Sequence, residues 1–130
     1  MSTRAYIGTL KEDKQVFFVY CHHDGYPSGV GTILRENYDR PEDVIELLSF
    51  GNMSGLAPTI ENTVFYGRDR NETDQEQEQI TYNEYLPSPG SDDSGIEYRY
   101  LFDEYSEEWL CYNMQGDLVE IPTDDLDIIR

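Results

Sequence analysis

Residues 16–31 read VFFVYCHHDGYPSGVG, an apolar run that passes through both histidines into a segment rich in glycine. The first five residues of this stretch are all β-branched or aromatic, which is typical of a central strand covered on both faces. Ser28 is a candidate N-cap for a helix, because Val30, Ile33 and Leu34 then recur at helical spacing. The stretch therefore predicts a buried strand, a tight turn and a helix.

The chain on either side of this stretch supplies the rest of a sheet. The apolar segment 4–10 is separated from the central strand by the polar turn 11–14, which predicts a β-hairpin. Further strands are predicted where β-branched or aromatic residues recur between turns. They are the segments 63–66, 96–102, 108–113 and 118–121, and the last three have the spacing of an antiparallel meander.

A second helix is predicted directly after the first. Asp39 is a candidate cap, and Glu42 stands three residues on, as in a capping box. Gly51 is placed to end this helix in a left-handed conformation. Residues 28–51 are therefore expected to form two short helices that cover one face of the sheet.

The length and composition fit one folded domain. The chain has 130 residues, and its eleven tyrosines compensate for a modest aliphatic content. We predict a single α+β domain over residues 1–130, a mostly antiparallel β-sheet with two short helices packed on one face. An acidic, loop-rich region is expected within it at about 67–95.

Charge is the most unusual property of the sequence. Asp and Glu number 27 against nine Lys and Arg, and residues 61–130 carry −15 of the net charge of −18. This excess of acidic residues favours a basic partner. It disfavours direct binding to nucleic acid or to anionic membranes, because these are negatively charged as well. No apolar run approaches the roughly 20 residues of a transmembrane helix. The chain starts in a strand pattern and not in a signal peptide, so we expect a cytoplasmic protein with reduced cysteines.

Carboxylates are densest between Asn71 and Glu108, where twelve acids accompany one base. Duplex DNA carries about one charge per 1.7 Å of axis, so carboxylates on successive turns and strands can imitate its phosphates. A groove built for phosphates would then bind this surface. The expected partner-binding residues are Glu72, Asp74, Glu76, Glu78, Asp92, Asp93, Asp103, Glu104, Glu107, Glu108 and Trp109, with Tyr82, Tyr85 and Tyr105 as further aromatic contacts. The simpler alternative is a solvated face that keeps the protein soluble.

The turn after the central strand is an alternative site. Helix N-termini attract anions, so a phosphate or a nucleotide is a possible ligand there. The candidate ligand-binding residues are His22, His23, Asp24, Gly29 and Gly31. No P-loop or dinucleotide-binding glycine motif is present. In the purely structural alternative, Gly25 and Gly29 satisfy turn dihedrals and Pro27 sets the entry into the helix.

Metal and nucleophile sites are weaker alternatives. Cys21, His22, His23 and Asp24 are metal-ligand types, but strand alternation allows at most two of them on one face. The paired spacing of a structural zinc site is absent. Either Cys21 or Cys111 could pair with a histidine, although no motif fixes that geometry. We therefore expect no metal, no cofactor and no enzymatic activity.

Four segments resemble a family of small proteins found in bacteriophages and in bacterial genomes that carry mobile elements. They are STRxYIG at 2–8, YCHxDGYPxGVG at 20–31, FYGRDRxE at 65–72, and the strand 98–102 ahead of Trp109. The resemblance spans most of residues 2–112 and implies a phage-type accessory protein, with no activity or site residue carried over. The acidic content of this chain is more extreme than the family pattern.

Together these features predict an acidic inhibitor of phage type. Its partner would be a host nucleic-acid-binding protein or complex with a basic groove, in a CRISPR or restriction defence system, and it would act as a DNA mimic in the host cytoplasm. The alternative is a small-anion or nucleotide-binding domain, with hydrolysis as a further option, that uses the joint Cys21–Gly31.

Overall fold

A computed structural model of the protein describes residues 3–86 and 95–122. Within these residues eight strands form one mixed, mostly antiparallel sheet in the order β4-β3-β2-β1-β6-β7-β8, and β5 pairs with β2 outside this path. The strands are β1 Ala5–Leu10, β2 Gln15–Cys21, β3 Met53–Gly55, β4 Val64–Phe65, β5 Glu78–Thr81, β6 Tyr98–Asp103, β7 Glu108–Tyr112 and β8 Leu118–Val119. The predicted hairpin and meander are confirmed.

Helical segments follow the second strand and interrupt the acidic region. They are a π-helical turn Pro27–Gly31, α1 Thr32–Asn37, α2 Pro41–Ser49, α3 Tyr66–Arg70 and α4 Tyr82–Tyr85. The predicted α+β class is confirmed, and α1 and α2 are the two short helices expected over one face. Among the described residues, no helix is long and apolar enough to cross a membrane.

The pairing of β1 joins the two halves of the chain. β1 pairs with β2 in antiparallel fashion, with Ile7 opposite Val19, and with β6 in parallel fashion, with Ile7 opposite Tyr100. β2 in turn pairs with β5 along its first half and meets β3 at Cys21. The hairpin therefore lies at the centre of the sheet, with β5 on one side of it and β6 on the other.

Both faces of the central hairpin are buried, as predicted for β2. On one face Ile7, Val19 and Tyr100 pack under α1 and α2 in the larger core. On the other face Val16 and Phe18 pack against Tyr85 and neighbouring aromatics in a smaller core. The alternation of side chains along a strand separates the two sets, so no residue of β2 belongs to both cores.

The predicted side-chain caps Ser28 and Asp39 are wrong. The helical segments begin after Tyr26 and Arg40, whose backbones are extended and whose side chains make no cap hydrogen bond. In both cases the first helical residue is a proline, which has no N–H that needs a capping partner. Gly51 follows α2 with a left-handed φ of 83°, as the sequence predicts.

The polar segment after α3 is held to the fold by its backbone. Asn52 donates its N–H to the carbonyl of Gln75 at 2.8 Å. A Cβ atom at Gly51 would lie 2.0 Å from that same carbonyl oxygen, so only glycine permits this approach. Residues 78–81 then form β5, and α4 begins with a capping box between Thr81 and Glu84. The segment is therefore an ordered edge of the sheet.

Candidate functional site

The predicted acidic residues fall into two groups that the fold separates. One group lies between α3 and the start of β5, is exposed, and consists of Glu72, Asp74, Glu76 and Glu78. The second group surrounds the β6–β7 turn and consists of Asp103, Glu104, Glu107 and Glu108. Asp92 and Asp93 lie outside the described residues.

The two acidic groups do not form one continuous row. β5 and β6 are separated by β2 and β1, which at about 4.8 Å per strand is a distance of roughly 14 Å. Lys11 and Lys14 lie at the hairpin turn between them, and both line an open groove of about 1000 Å³ beside the β6–β7 turn. The hairpin turn therefore adds two positive charges beside the second acidic group.

Glu104 is committed to interactions inside the protein. Its Oε2 atom lies 2.9 Å from the Lys11 ammonium, and the buried Thr9 hydroxyl donates to the same oxygen at 2.9 Å. The carboxylate of Asp103 accepts the N–H of Tyr105 at 2.9 Å. These contacts shape the turn, so the exposed Glu107 supplies negative charge to a partner more readily than Glu104 does.

Tyr105 is the most prominent side chain of the acidic turn. It is 94% exposed, the highest value among the large hydrophobic residues described. Tyrosine is enriched at the energetic centres of protein interfaces, because it buries a large area at a low cost in conformational entropy. Tyr85 is different: it is 1% exposed, and its hydroxyl donates to the Tyr100 carbonyl at 2.6 Å. The prediction that Tyr85 contacts a partner is therefore wrong.

Trp109 lies beside the acidic turn but has partners inside the fold. Its indole N–H donates to the Tyr38 carbonyl at 2.7 Å, and its ring centroid lies 5.1 Å from that of Phe102. These contacts connect β7 to the segment between α1 and α2. The ring is half-buried, so a contact between its edge and a partner stays a prediction.

The alternative site at the joint is divided by the sheet. A Cβ atom on Gly31 would lie 3.1 Å from the Tyr100 ring, and one on Gly29 would lie 2.6 Å from the Asp24 carbonyl oxygen. These glycines therefore permit close packing on the helix-covered side. The side chain of His22 takes no part in this packing around the glycines, and its Nδ1 lies 2.6 Å from the Tyr20 hydroxyl.

The structural alternative for the joint is correct in part. Gly25 and Gly29 lie in the turn as predicted, and neither has a positive φ. A Cβ atom at Gly25 would lie 2.7 Å from the carbonyl oxygen of Thr3, so close packing explains this glycine too. Pro27 does begin the helical turn, as predicted.

Both cysteines are buried thiols. Cys21 and Cys111 are 0% and 1% exposed, and burial raises the pKa of each to about 12. A thiol is nucleophilic only as the thiolate, so neither cysteine is activated for catalysis. Among the described residues, no group of three or more His, Cys, Asp or Glu side chains is placed to hold a metal ion.

The thiols are expected to be unreactive in the folded protein. Because their pKa values lie near 12, both groups remain protonated at about pH 8, and burial excludes a bulky disulfide reagent. Titration with an aromatic disulfide should detect neither Cys21 nor Cys111 in the native protein and both after unfolding in guanidinium. Rapid reaction of one thiol in the native state would contradict this placement.

No protein-family model, curated protein or solved structure matches this chain. The assignment of a function therefore depends on the charges, contacts and burial of its own residues.

Proposed function

We propose that the protein is a phage-type inhibitor that binds a basic, nucleic-acid-binding surface of a host defence complex of the CRISPR or restriction kind. The observation that carries the proposal is the β6–β7 turn, where Tyr105 is 94% exposed next to Glu107 and Glu108. An exposed aromatic ring among carboxylates suits a groove that normally receives bases and phosphates. The phage context comes from the sequence resemblance.

The inhibitor would act by occupying the groove. The net charge of −18 attracts a basic partner over a long range and raises the rate of encounter. At contact, Glu107 and Glu108 would pair with lysine or arginine side chains that otherwise hold phosphates, and the Tyr105 ring would enter between them. Nucleic acid and the inhibitor would then exclude each other.

The two acidic groups would contribute differently. The β6–β7 turn would make the close contacts, because it combines charge with an exposed ring. The segment Glu72–Glu78 lies across the hairpin and would add mainly to long-range attraction, which salt screens within about 10 Å at 0.1 M. Removing charge from this segment should therefore slow association more than it speeds dissociation.

A pull-down from bacterial host lysate tests the proposal. The tagged protein is incubated at low and at high salt, with and without duplex DNA as a competitor, and mass spectrometry identifies what is retained. Retention of a nucleic-acid-binding complex that DNA displaces and salt weakens is the expected result. Retention of a protein that neither DNA nor salt displaces, or of no protein, would contradict the proposal.

The alternative function is a small-anion or nucleotide-binding domain at the joint after β2. Its glycine half is occupied by internal packing at Gly29 and Gly31. One observation favours its histidine half: the basic side chains around His22 include His23 of the joint. Arg4 and Arg70 join them from other segments.

A further inference from the structure

One corner of the sheet collects positive charge in a strongly acidic protein. The β1–β2 register pairs Ala5 with Cys21 and Tyr6 with Tyr20. One step further, this antiparallel register places Arg4 opposite His22. Paired residues point to the same side of a sheet, so these two side chains share the face that lies opposite α1 and α2.

A third segment brings α3 to the same corner. Asn52 connects β2 to α3. Its side-chain oxygen accepts the Tyr20 N–H at 2.9 Å, and its carbonyl accepts the Tyr66 N–H at 3.2 Å. The guanidinium of Arg70 lies 5.2 Å from the centroid of the Tyr66 ring. Direct contacts therefore connect Arg70 to His22 through Tyr66, Asn52 and Tyr20. Arg4 lies opposite His22 in the β1–β2 register.

Arg4 and Arg70 form no ion pair with any residue that the structure describes. Within the described part of the chain, Lys11, Arg40 and Arg68 each lie within 4 Å of a carboxylate, whereas Arg4 and Arg70 do not. Asp69, next to Arg70 in the chain, pairs with Arg68. Glu97 donates its N–H to the Arg4 carbonyl, and Glu72 donates its N–H to the Tyr66 carbonyl. Neither of their carboxylates forms an ion pair with these arginines.

Within the described residues, the charged groups that shift the pKa of His22 are basic side chains. Its partial burial lowers the pKa of His22, and the charges of His23, Arg4 and Arg70 lower it further. Burial raises the pKa of the adjacent Tyr20, so the tyrosine hydroxyl keeps its proton. It can therefore donate a hydrogen bond to Nδ1 of His22. In that tautomer the Nε2–H of His22 is the hydrogen-bond donor available to a ligand.

We propose that Arg4, His22 and Arg70 form a binding site for the phosphate group of a small molecule. Guanidinium groups bind phosphate oxygens through paired N–H donors, and a neutral imidazole adds a third directional donor. The Tyr20 ring lies 5.9 Å from the His22 ring and the Tyr66 ring lies 5.2 Å from the Arg70 guanidinium, and both offer apolar surface to the rest of the ligand. An anion would reduce the mutual repulsion of the cations, which form no ion pair among the described residues.

This site is remote from the β6–β7 turn, which makes the close contacts in the proposed inhibitor. β1 places Arg4 and the β6–β7 turn at opposite ends, roughly 20 Å apart at 3.3 Å per residue. The order of the sheet also places β3 and β4 on the side away from β7 and β8. Loss of phosphate binding would leave the proposed inhibitor function standing, and the reverse also holds.

Nuclear magnetic resonance of the two histidines tests the site. Inorganic phosphate is titrated into the full-length protein at constant ionic strength, held with sodium chloride, while the imidazole Hε1 shifts are followed between about pH 5 and pH 8. Phosphate should cause a saturable shift of the His22 signal. A bound anion stabilises the imidazolium, so the pKa of His22 should rise by about 1 when phosphate is bound.

Two variants and one control distinguish a site from a general salt effect. Arg70→Gln and Arg4→Gln should each weaken phosphate binding at least about fivefold, since each removes one charged contact. Arg40→Gln is the matched control, because Arg40 is also exposed but pairs with Glu42 and Asp43. A His22 shift that does not saturate, or an equal loss in all three variants, would overturn the proposal.

Discussion

Replacement of both Glu107 and Glu108 by lysine is expected to abolish retention of the host complex. Each replacement changes the local charge by two units next to Tyr105, so attraction to a basic groove becomes repulsion. Like charges that face each other in an interface cost several kcal/mol, which corresponds to at least about 100-fold weaker binding. The measurement is the dissociation constant for the complex that the wild-type protein captures, determined at about 0.1 M salt.

A matched variant separates local contact from net charge. Glu46→Lys together with Glu61→Lys changes the net charge by the same amount at exposed positions, on α2 and just before β4. This control should retain most of the affinity, with a reduced rate of association only. Equal losses in both double variants would show that bulk charge alone determines binding. Full retention by the Glu107→Lys and Glu108→Lys protein would refute the role of the turn.

Much of the fold could be predicted because it is local. The alternation of β2, the turn residues 11–14 and the helical spacing after Val30 each act over a few residues. The parallel pairing of β1 with β6 could not be predicted, because it joins segments more than ninety residues apart and no local pattern encodes it. The predicted caps failed because the helical segments begin at Pro27 and Pro41, so Tyr26 and Arg40 hold the N-cap positions.

The candidate sites were predictable to different extents. Composition located the acidic region, but it could not show that Glu104 pairs with Lys11 or that Tyr85 is buried. The residue types at the joint predicted His22 as a ligand-binding residue. Arg4 and Arg70 come from other segments, and only the β1–β2 register and Asn52 bring them near His22. Thr81 and Glu84 have the spacing of a capping box, which indicates α4, but this helix was not among the predicted elements.

Replacement of Trp109 by alanine is expected to lower the free energy of unfolding by about 3 kcal/mol. The change removes the contact between the indole and the Phe102 ring and leaves the Tyr38 carbonyl without its donor. Tyr38 is 3% exposed and its hydroxyl donates to the Ala57 carbonyl at 2.9 Å, so the disturbance extends to the loop after β3. Urea unfolding followed by far-ultraviolet circular dichroism measures the loss.

Two further variants separate stability from recognition at this position. Trp109→Phe keeps an aromatic ring but loses the N–H donor, and should cost about 1 kcal/mol. Tyr105→Ala changes a side chain that is 94% exposed, so it should leave the urea midpoint unchanged while weakening retention of the partner. If Trp109→Ala instead unfolds at the wild-type midpoint, the indole does not brace β7 against the helices. Its principal role would then be at the surface, as a contact for the partner beside Glu108.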